Sequence, residues 1–444
     1  MKLHVKTFGC QMNEYDSARM SETMRLAGWE LTEDPGQADL VLFNSCSIRA
    51  LAEEKLFSAL GETQHLKARR PEVLVGVTGC TAQLAGDRLL ARAPGVDLLV
   101  GPDRYGDLPA LVEQARKGRV RAVDRADPDA YSFVPALPES GTVGPSAFVT
   151  IMKGCDNHCA YCVVPAARGP EVSRPAADVV AEAARFVAAG AREVFLIGQN
   201  VNSYQGLPGG FPALLRALGD VPGLARIRFT TSHPKDFGPD LVAAMAEVPS
   251  VCEWLHLPVQ AGATRTLAAM RRRYTREAYL EKIALVRARL PHVAITTDVI
   301  VGFPGETEAD FEETLSLLAR VRYDALYSFR FSARPDTLAA SLPDDVPLAE
   351  KQRRLAAVQA LQAGITRAKL SAMVGRTHEV LVEGGSRRGG GQVSGRTRSM
   401  VMINFVAPLD APGPGALVPV EVTAAGTHTL EGRLAGAPKT ERLA

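Results

Sequence analysis

Seven cysteines, at 10, 46, 80, 155, 159, 162 and 252, constrain this chain more than any other feature of its sequence. Three are dispersed, three crowd into one short loop, and one stands apart. That split points to two metal sites with three protein ligands each and a spare thiol. Met1-Lys2-Leu3-His4-Val5-Lys6 lacks the apolar core of a secretory signal, and no run of about 18 apolar residues occurs. The expectation is therefore a cytoplasmic protein with no membrane span and no structural disulfides, since the cytosol keeps thiols reduced.

The first third of the chain alternates short apolar runs with longer amphipathic stretches. Leu3–Cys10, Ala38–Cys46, Val73–Cys80 and Val96–Gly101 have the character of strands; Glu14–Ala27, Leu51–Leu66, Gln83–Ala93 and Leu108–Lys117 have that of helices. Such alternation predicts βαβ crossovers and a parallel sheet. Each dispersed cysteine ends a strand, in Phe8-Gly9-Cys10, Asn44-Ser45-Cys46 and Thr78-Gly79-Cys80. Those ends share one edge of an open parallel sheet, the edge where ligands bind. Distant cysteines can thus converge.

Residues 124–145 lose periodicity and carry four prolines, as a linker would. A second α/β region follows, with strands expected at Ala147–Met152, Glu193–Ile197, Arg226–Thr230, Trp254–Pro258, Ala294–Val301 and Ala325–Phe331. About six βα units make a partial or full barrel, whose chemistry belongs at the C-terminal ends of its strands. A long helix over Leu348–Met373 leads to five short strands from Thr377 to Leu434 with glycine-rich turns, as in a small antiparallel β-barrel. The expected division is 1–123, a linker at 124–145, 146–372 and 373–440. Overall the chain is an α/β multidomain protein.

The tight triad reads Gly154-Cys155-Asp156-Asn157-His158-Cys159-Ala160-Tyr161-Cys162, a C-x3-C-x2-C loop directly after the first barrel strand. Three thiolates on one loop can hold three irons of a cubane and leave the fourth open. An open iron can chelate the amino and carboxylate groups of S-adenosylmethionine (SAM), whose sulfonium bond an electron then breaks. Tyr161 before the third cysteine fits that use. The rival is a zinc site, but structural zinc takes four closed ligands, usually as two separated pairs. His158 inside the loop is non-ligating on the SAM reading, because it would close the open iron. For Cys10, Cys46 and Cys80 the rival is the small buried hydrophobe that free cysteine often is; Cys252, beside Trp254 and Leu255, is read that way.

With Thr7-Phe8-Gly9-Cys10-Gln11-Met12-Asn13, Asn44-Ser45-Cys46-Ser47-Ile48-Arg49, Ala52-Glu53-Glu54-Lys55 and Gly79-Cys80 ahead of that loop, the chain resembles the radical SAM methylthiotransferase family over nearly its whole length. The barrel adds Gly198-Gln199-Asn200-Val201-Asn202-Ser203-Tyr204, Thr230-Thr231-Ser232-His233-Pro234, His256-Leu257-Pro258-Val259-Gln260 and the stretch from Thr297 to Thr307. The resemblance implies a flavodoxin-like N-terminal domain, a radical SAM partial (β/α) barrel and a C-terminal TRAM module. It implies two 4Fe–4S clusters, one auxiliary on Cys10, Cys46 and Cys80 and one on Cys155, Cys159 and Cys162, which make the radical. It further implies a tRNA anticodon stem-loop as substrate, modified at C2 of N6-isopentenyladenosine with two SAM per turnover, a monomeric enzyme and a donor such as flavodoxin or ferredoxin. Threonylcarbamoyladenosine or a ribosomal protein is the alternative target, and a non-catalytic zinc-containing RNA-binding protein the alternative class. Two stretches depart from the family pattern: Val-Pro-Tyr-Thr-Arg-Gly-Arg stands here as Val164 to Pro170 with Ala166, Ala167 and Pro170, and Ser-Pro-Arg-Pro-Gly-Thr-Pro stands as Ser332 to Leu338 with Ala333, Asp336 and Leu338.

Polar residues just after strands are aimed at a barrel's functional face, which makes Gln199, Ser232, Gln260 and Asp298, with Tyr161, the candidate SAM contacts. His233 and His256 are equally suited to packing or cofactor contact. A net charge of +2 excludes a globally basic nucleic-acid coat, so RNA binding must fall to local groups. The candidates are Arg271, Arg272 and Arg273, expected along a helix and its approach, and Arg387, Arg388, Arg396 and Arg398 in the last module. For either group the rival is a merely solvated charged face.

Overall fold

The computed structural model describes residues 1–47, 50–136, 138, 143–389, 391–406 and 413–435. Ile48 and Arg49 of the Cys46 motif, and Gly390 of the glycine-rich loop, lie outside the described residues. Among those described, no helix is long and apolar enough to cross a membrane.

Strands β1 (Lys2–Phe8), β2 (Glu30–Leu31), β3 (Leu40–Ser45), β4 (Leu74–Thr78), β5 (Leu98–Val100) and β6 (Val120–Ala122) form one six-stranded sheet in the order β2-β1-β3-β4-β5-β6. Every pairing is parallel. The first five strands follow the flavodoxin order, and its switch point falls between β1 and β3. Two strands, β2 and β6, go beyond the sequence expectation: at two and three residues they are too short to show alternation. Residues of β3 and β4 are buried throughout, as parallel strands covered on both faces must be. Met20, Met24, Leu108 and Leu111 cover one face, while Leu56, Leu60 and Leu89 cover the other.

Residues 124–136 are packed rather than slack. Tyr131 and Phe133 meet edge to face at 4.9 Å, and the amide of Ala136 donates to Glu182 Oε2 at 3.0 Å.

Next come β7 (Ser146–Thr150), the short antiparallel pair β8 (Met152–Lys153) and β9 (Val172–Ser173), then β10 (Glu193–Ile197), β11 (Arg226–Thr230), β12 (Trp254–His256), β13 (Ala294–Val301) and β14 (Ala325–Arg330). Parallel pairing gives β7-β10-β11 and β12-β13-β14, and a bridge between Ile227 and Val251 carries the curvature across the gap. The result is an open barrel of six strands in sequence order. Lys153 pairs with Asp103 at 2.6 Å, both almost fully buried, which ties the barrel to the N-terminal domain.

Helix Leu348–Ser371 leads to a closed barrel of β15 (Thr377–Gly385), β16 (Gln392–Thr397), β17 (Met402–Val406), β18 (Leu417–Ala425) and β19 (Leu430–Leu434). Its pairings are antiparallel except β17 with β19, which is parallel. The module docks firmly through three arginines. Arg226 reaches Glu379 Oε1 at 2.8 Å and the Arg396 carbonyl at 2.7 Å. Arg228 pairs with Glu193 at 2.7 Å and donates to the carbonyls of Thr397 and Arg398. Arg398 answers from the other side by holding Glu253 and the carbonyls of Pro249 and Val251.

Arg228 is fully buried, so removing it strands Glu193 and two carbonyls. Arg228→Leu should destabilise the protein by about 3–5 kcal/mol, the usual result of breaking a buried pair from one side. Urea unfolding checks this; a loss below about 1 kcal/mol would mean the module is only tethered.

Candidate functional site

The dispersed cysteines meet at the switch point of the first sheet. Cys10 caps helix Gln11–Leu26, Cys46 follows β3, and Cys80 opens helix Cys80–Arg92. The turns that deliver Cys10 and Cys80 tolerate no side chain: a Cβ on Gly9 would stand 2.3 Å from Asn13 Oδ1, and one on Gly79 2.3 Å from Asn44 Oδ1. Asn13 Nδ2 donates to Asn44 Oδ1 at 3.0 Å, and Asn44 Nδ2 returns to the Asn13 carbonyl at 2.9 Å. This buried amide pair ties the first turn of the helix after β1 to the end of β3. The Cys10 thiol lies 3.3 Å from Asn13 Oδ1.

The tight triad occupies the loop between β8 and β9. Gly154 enters it with φ +78°, and a Cβ there would stand 1.8 Å from the Pro170 carbonyl. Its amide donates to Gln199 Oε1 at 2.6 Å, so the carbonyl of that predicted SAM contact is committed to the loop. Each sulfur accepts one N–H: Asn157 Nδ2 reaches Cys155 at 3.6 Å, Arg272 Nη1 reaches Cys159 at 3.3 Å and the Val164 amide reaches Cys162 at 3.5 Å. Such donors are what thiolate ligands of a cluster receive. Among the described residues no three His, Cys, Asp or Glu side chains meet as one ion requires, whereas a cubane gives each thiolate its own iron. His158 is exposed.

Sequence reasoning missed the residue that joins the two triads. Arg168 ends the short helix Val164–Arg168 just beyond the tight triad. Its Nε donates to Cys80 Sγ at 3.3 Å and its Nη2 to Asp16 Oδ2 at 2.6 Å, all buried. The only hint in the sequence was that Arg168 keeps the family's arginine in a stretch that otherwise departs from it. Of the departures, Ala167 is buried, the Ala166 carbonyl accepts from Arg125, and Asp336 sits exposed near Arg88.

Of the other predicted polar residues, Ser232 and Gln260 follow their strands at the same end of the barrel, whereas Asp298 lies within β13 rather than after it. Ser232 Oγ is buried without a hydrogen-bond partner among the described residues, as are Thr150 Oγ1 and His233 Nε2. Burial and the charge of Arg272 push His233 down to about 2, so it is neutral. Gln260 adopts φ +73°, with its amide and carbonyl tied to Asp298 and Ile300. Asp298 Oδ2 stands 3.6 Å from His256 Nε2, whose Nδ1 meets Thr296 Oγ1 at 2.9 Å. Tyr161 OH lies 3.4 Å from Arg272 Nη1. Three thiols with donors and three orphaned polar atoms at one barrel end fit an anionic cluster with a polar ligand beside it.

Two arginine expectations are corrected. Arg272 is 4% exposed and turned inward onto Cys159 and the Pro258 carbonyl, so it cannot meet a phosphate backbone. Its neighbours Arg271 and Arg273 are exposed, in a turn with φ +58° and +59° rather than on a helix. Arg398 is spent on the docking of the last module. Arg396 pairs with Glu383, Arg388 pairs with Glu431 at the surface, and Arg387 is exposed. Cys252 is a buried core thiol.

Family models match in the same three parts. Residues 2–101 match one described as Uncharacterized protein family UPF0004, 149–318 the Radical SAM superfamily and 371–435 the TRAM domain. In fold the chain is similar to the radical SAM methyltransferase TsrM of Kitasatospora setae, solved with cobalamin and a [4Fe-4S] cluster, at TM-score 0.58 and 15% identity over 76% of each chain. The cobalamin-dependent radical enzyme OxsB is a looser likeness, at TM-score 0.52 and 11% identity, covering 81% of this chain and 56% of that one. Fold and site together define a radical SAM enzyme.

Curated relatives narrow this. A tRNA-2-methylthio-N(6)-dimethylallyladenosine synthase of Geobacter metallireducens is 48% identical over 98% of both chains. That of Syntrophobacter fumaroxidans is 46% identical over 99% of this chain and 97% of its own. The chain belongs to the tRNA-2-methylthio-N(6)-dimethylallyladenosine synthase family.

Within the apoprotein the cysteines differ in acidity. A hydrogen bond from Cys46 brings Cys10 down to about 6 against the effect of burial, whereas burial pushes Cys155 up to about 11 and Cys162 up to about 12. Near neutral pH Cys10 is thus largely thiolate and the other two are thiols. Iodoacetamide should label Cys10 well ahead of both in metal-free protein. Peptide mass spectrometry over a time course checks this, and equal rates would contradict it.

Proposed function

We propose that this chain methylthiolates C2 of N6-isopentenyladenosine at position 37 of tRNA, beside the anticodon. The work is divided among 1–123, 146–372 and 373–440, with 124–145 as linker. One observation carries the proposal: Arg168 leaves the loop of the tight triad and ends on Cys80 of the dispersed one, so two cysteine sites serve a single chemistry. When bound, the clusters and SAM supply a 5′-deoxyadenosyl radical to take hydrogen from C2, sulfur for the new C–S bond, and the methyl group of a second SAM.

The protein's own residues hold and orient. Cys10, Cys46 and Cys80 hold the auxiliary cluster, and Cys155, Cys159 and Cys162 hold the one that serves SAM. Gln199 fixes the first residue of that loop through Gly154. Ser232, Thr150 and neutral His233 offer SAM polar atoms that no other described residue satisfies, with Tyr161, Gln260 and Asp298 around them. No acid–base dyad is needed, because an aromatic C–H gives such catalysis no foothold. The anticodon loop is single-stranded, where a base can be splayed out to an enzyme. Arg271, Arg273, Arg387 and Arg388 meet the RNA backbone; the Arg388–Glu431 pair is at the surface, where such pairs contribute little and exchange readily for phosphate. We also propose a flavodoxin or ferredoxin as electron donor to a monomeric enzyme in the cytoplasm.

Replacing Cys10, Cys46 and Cys80 by alanine should leave reductive cleavage of SAM to 5′-deoxyadenosine but abolish the methylthio nucleoside. Replacing Cys155, Cys159 and Cys162 should abolish 5′-deoxyadenosine itself. Mass spectrometry of small molecules and digested tRNA reads both. Methylthiolated tRNA at the wild-type level from the first variant would overturn the two-cluster function.

Charge reversal at Arg273 or Arg387 should weaken tRNA binding and lower the slope of log affinity against log salt by about 1 for each lost phosphate contact. Filter binding across a salt series measures it. An unchanged slope in either variant removes that arginine from the interface.

A further inference from the structure

The lumen face of the barrel can be traced by strand parity. Leu255, Ile295, Val299 and Leu326 join the core under the helices, so their sequence neighbours point inward. Register sets His256 beside Thr296, Asp298 beside Tyr327 and Ile300 beside Phe329. At the strands' N-terminal end this face reaches Trp254 and Ala294, which pack with Met12, Tyr15 and Cys10 of the first domain. At its other end Ile300 packs with Phe303 and Tyr161 beside the tight triad. One continuous surface thus runs from one cysteine site to the other.

Midway along it, on the last strand of its sheet, two large rings are uncovered. Tyr327 is 59% exposed and Phe329 43%, although the opposite face of the same strand is packed, with Leu326 lying in a cluster that also takes Leu355 and Leu361 of the long helix. Tyr327 is braced edge-on by His256 at 6.2 Å, which is itself stacked on Trp254 at 6.3 Å. A backed aromatic pair, open on one face and set between the two sulfur sites, is a platform for a flat ring bearing an apolar arm.

We propose that Tyr327 stacks on the target adenine and that Phe329, with Ile300 beside it, receives the hydrocarbon substituent on N6. This rests on the methylthiotransferase function and names the residues that select its substrate. Base-on-ring stacking strengthens binding by about tenfold per base, and an apolar arm gains affinity only where it meets apolar surface.

The test uses the whole protein and two synthetic anticodon stem-loops, one plain and one carrying N6-isopentenyladenosine, with affinity read by fluorescence anisotropy. Wild type should prefer the isopentenylated RNA by about tenfold. Phe329→Ala should bring that ratio close to one, while Phe329→Leu, which keeps an apolar side chain, should retain most of it. Tyr327→Ala should weaken both RNAs alike by about tenfold. Both rings are exposed, so thermal unfolding should not shift, and the leucine variant keeps the test open if the alanine variant is unstable. A preference undiminished in Phe329→Ala would overturn the assignment, with the enzyme's function intact if wild type still forms the methylthio nucleoside. Absence of both preference and product in wild type would overturn assignment and function together.

Discussion

The ion pair between Arg168 and Asp16 is the contact on which the rest of the site depends. Neither charge is acceptable alone where it lies, since an unpaired buried ion costs several kcal/mol even after relaxation. Arg168 is 6% exposed and Asp16 5%, and they stand 2.6 Å apart. Burial pushes the Asp16 carboxyl up while the Arg168 charge pulls against it. Asp16 belongs to the first helix of the first domain, Arg168 to the loop of the barrel's cysteines. Both partners are therefore satisfied only when the domains are docked, and docking sets the distance between the triads. The buried Lys153–Asp103 pair repeats the device on the same seam.

The opposite end of the barrel follows the same logic. An open six-stranded barrel exposes the N-terminal ends of its strands, where Arg226 would be a buried cation without a carboxylate and Arg228 would have Glu193 of the barrel but nothing for its two terminal nitrogens. The last module supplies the Glu379 carboxylate and four carbonyls to meet them. Between the two seams lies an apolar plug to which all three domains contribute: Met12 and Tyr15 from the first, Phe195, Ile197 and Trp254 from the barrel, and Met400 from the last. With floor and rim sealed, the long edge at β14 is where the lumen stays open, and there the uncovered rings lie.

The grouping of the cysteines was legible in the sequence because three follow strands of one parallel sheet and three share one short loop. Strand alternation likewise foretold the first sheet and the barrel to within a few residues. Where the sequence misled was in its arginines. Arg271, Arg272 and Arg273 read as one basic stripe, yet the turn that carries them faces the middle one inward. Arg398 read as a surface cation and is a docking residue. Which arginine is buried is decided by partners far off in sequence, such as Cys159 for Arg272 and Glu253 for Arg398, and no local pattern carries that information. The two edge strands escaped for the opposite reason, being too short to carry a pattern at all.

Arg168 and Arg272 are alike in reaching a cysteine sulfur from a buried position, but their charges are balanced differently. Arg168 has a carboxylate beside it and can be buried whether or not Cys80 is ionised. The hydrogen-bond partners of Arg272 among the described residues are Cys159 Sγ, two tyrosine hydroxyls and the Pro258 carbonyl. The two hydroxyls and the carbonyl bring it no negative charge. A guanidinium held in that setting is favoured by an anion at the sulfur, and an iron-bound thiolate is one. The barrel loop is thus built to be completed by what it binds, in keeping with the orphaned Ser232, Thr150 and His233 atoms at the same end. The dispersed triad, by contrast, has the Asp16 carboxylate on its arginine and a lowered Cys10 thiol beside it before anything binds. Filling the barrel site therefore relieves an electrostatic deficit that the auxiliary site does not have.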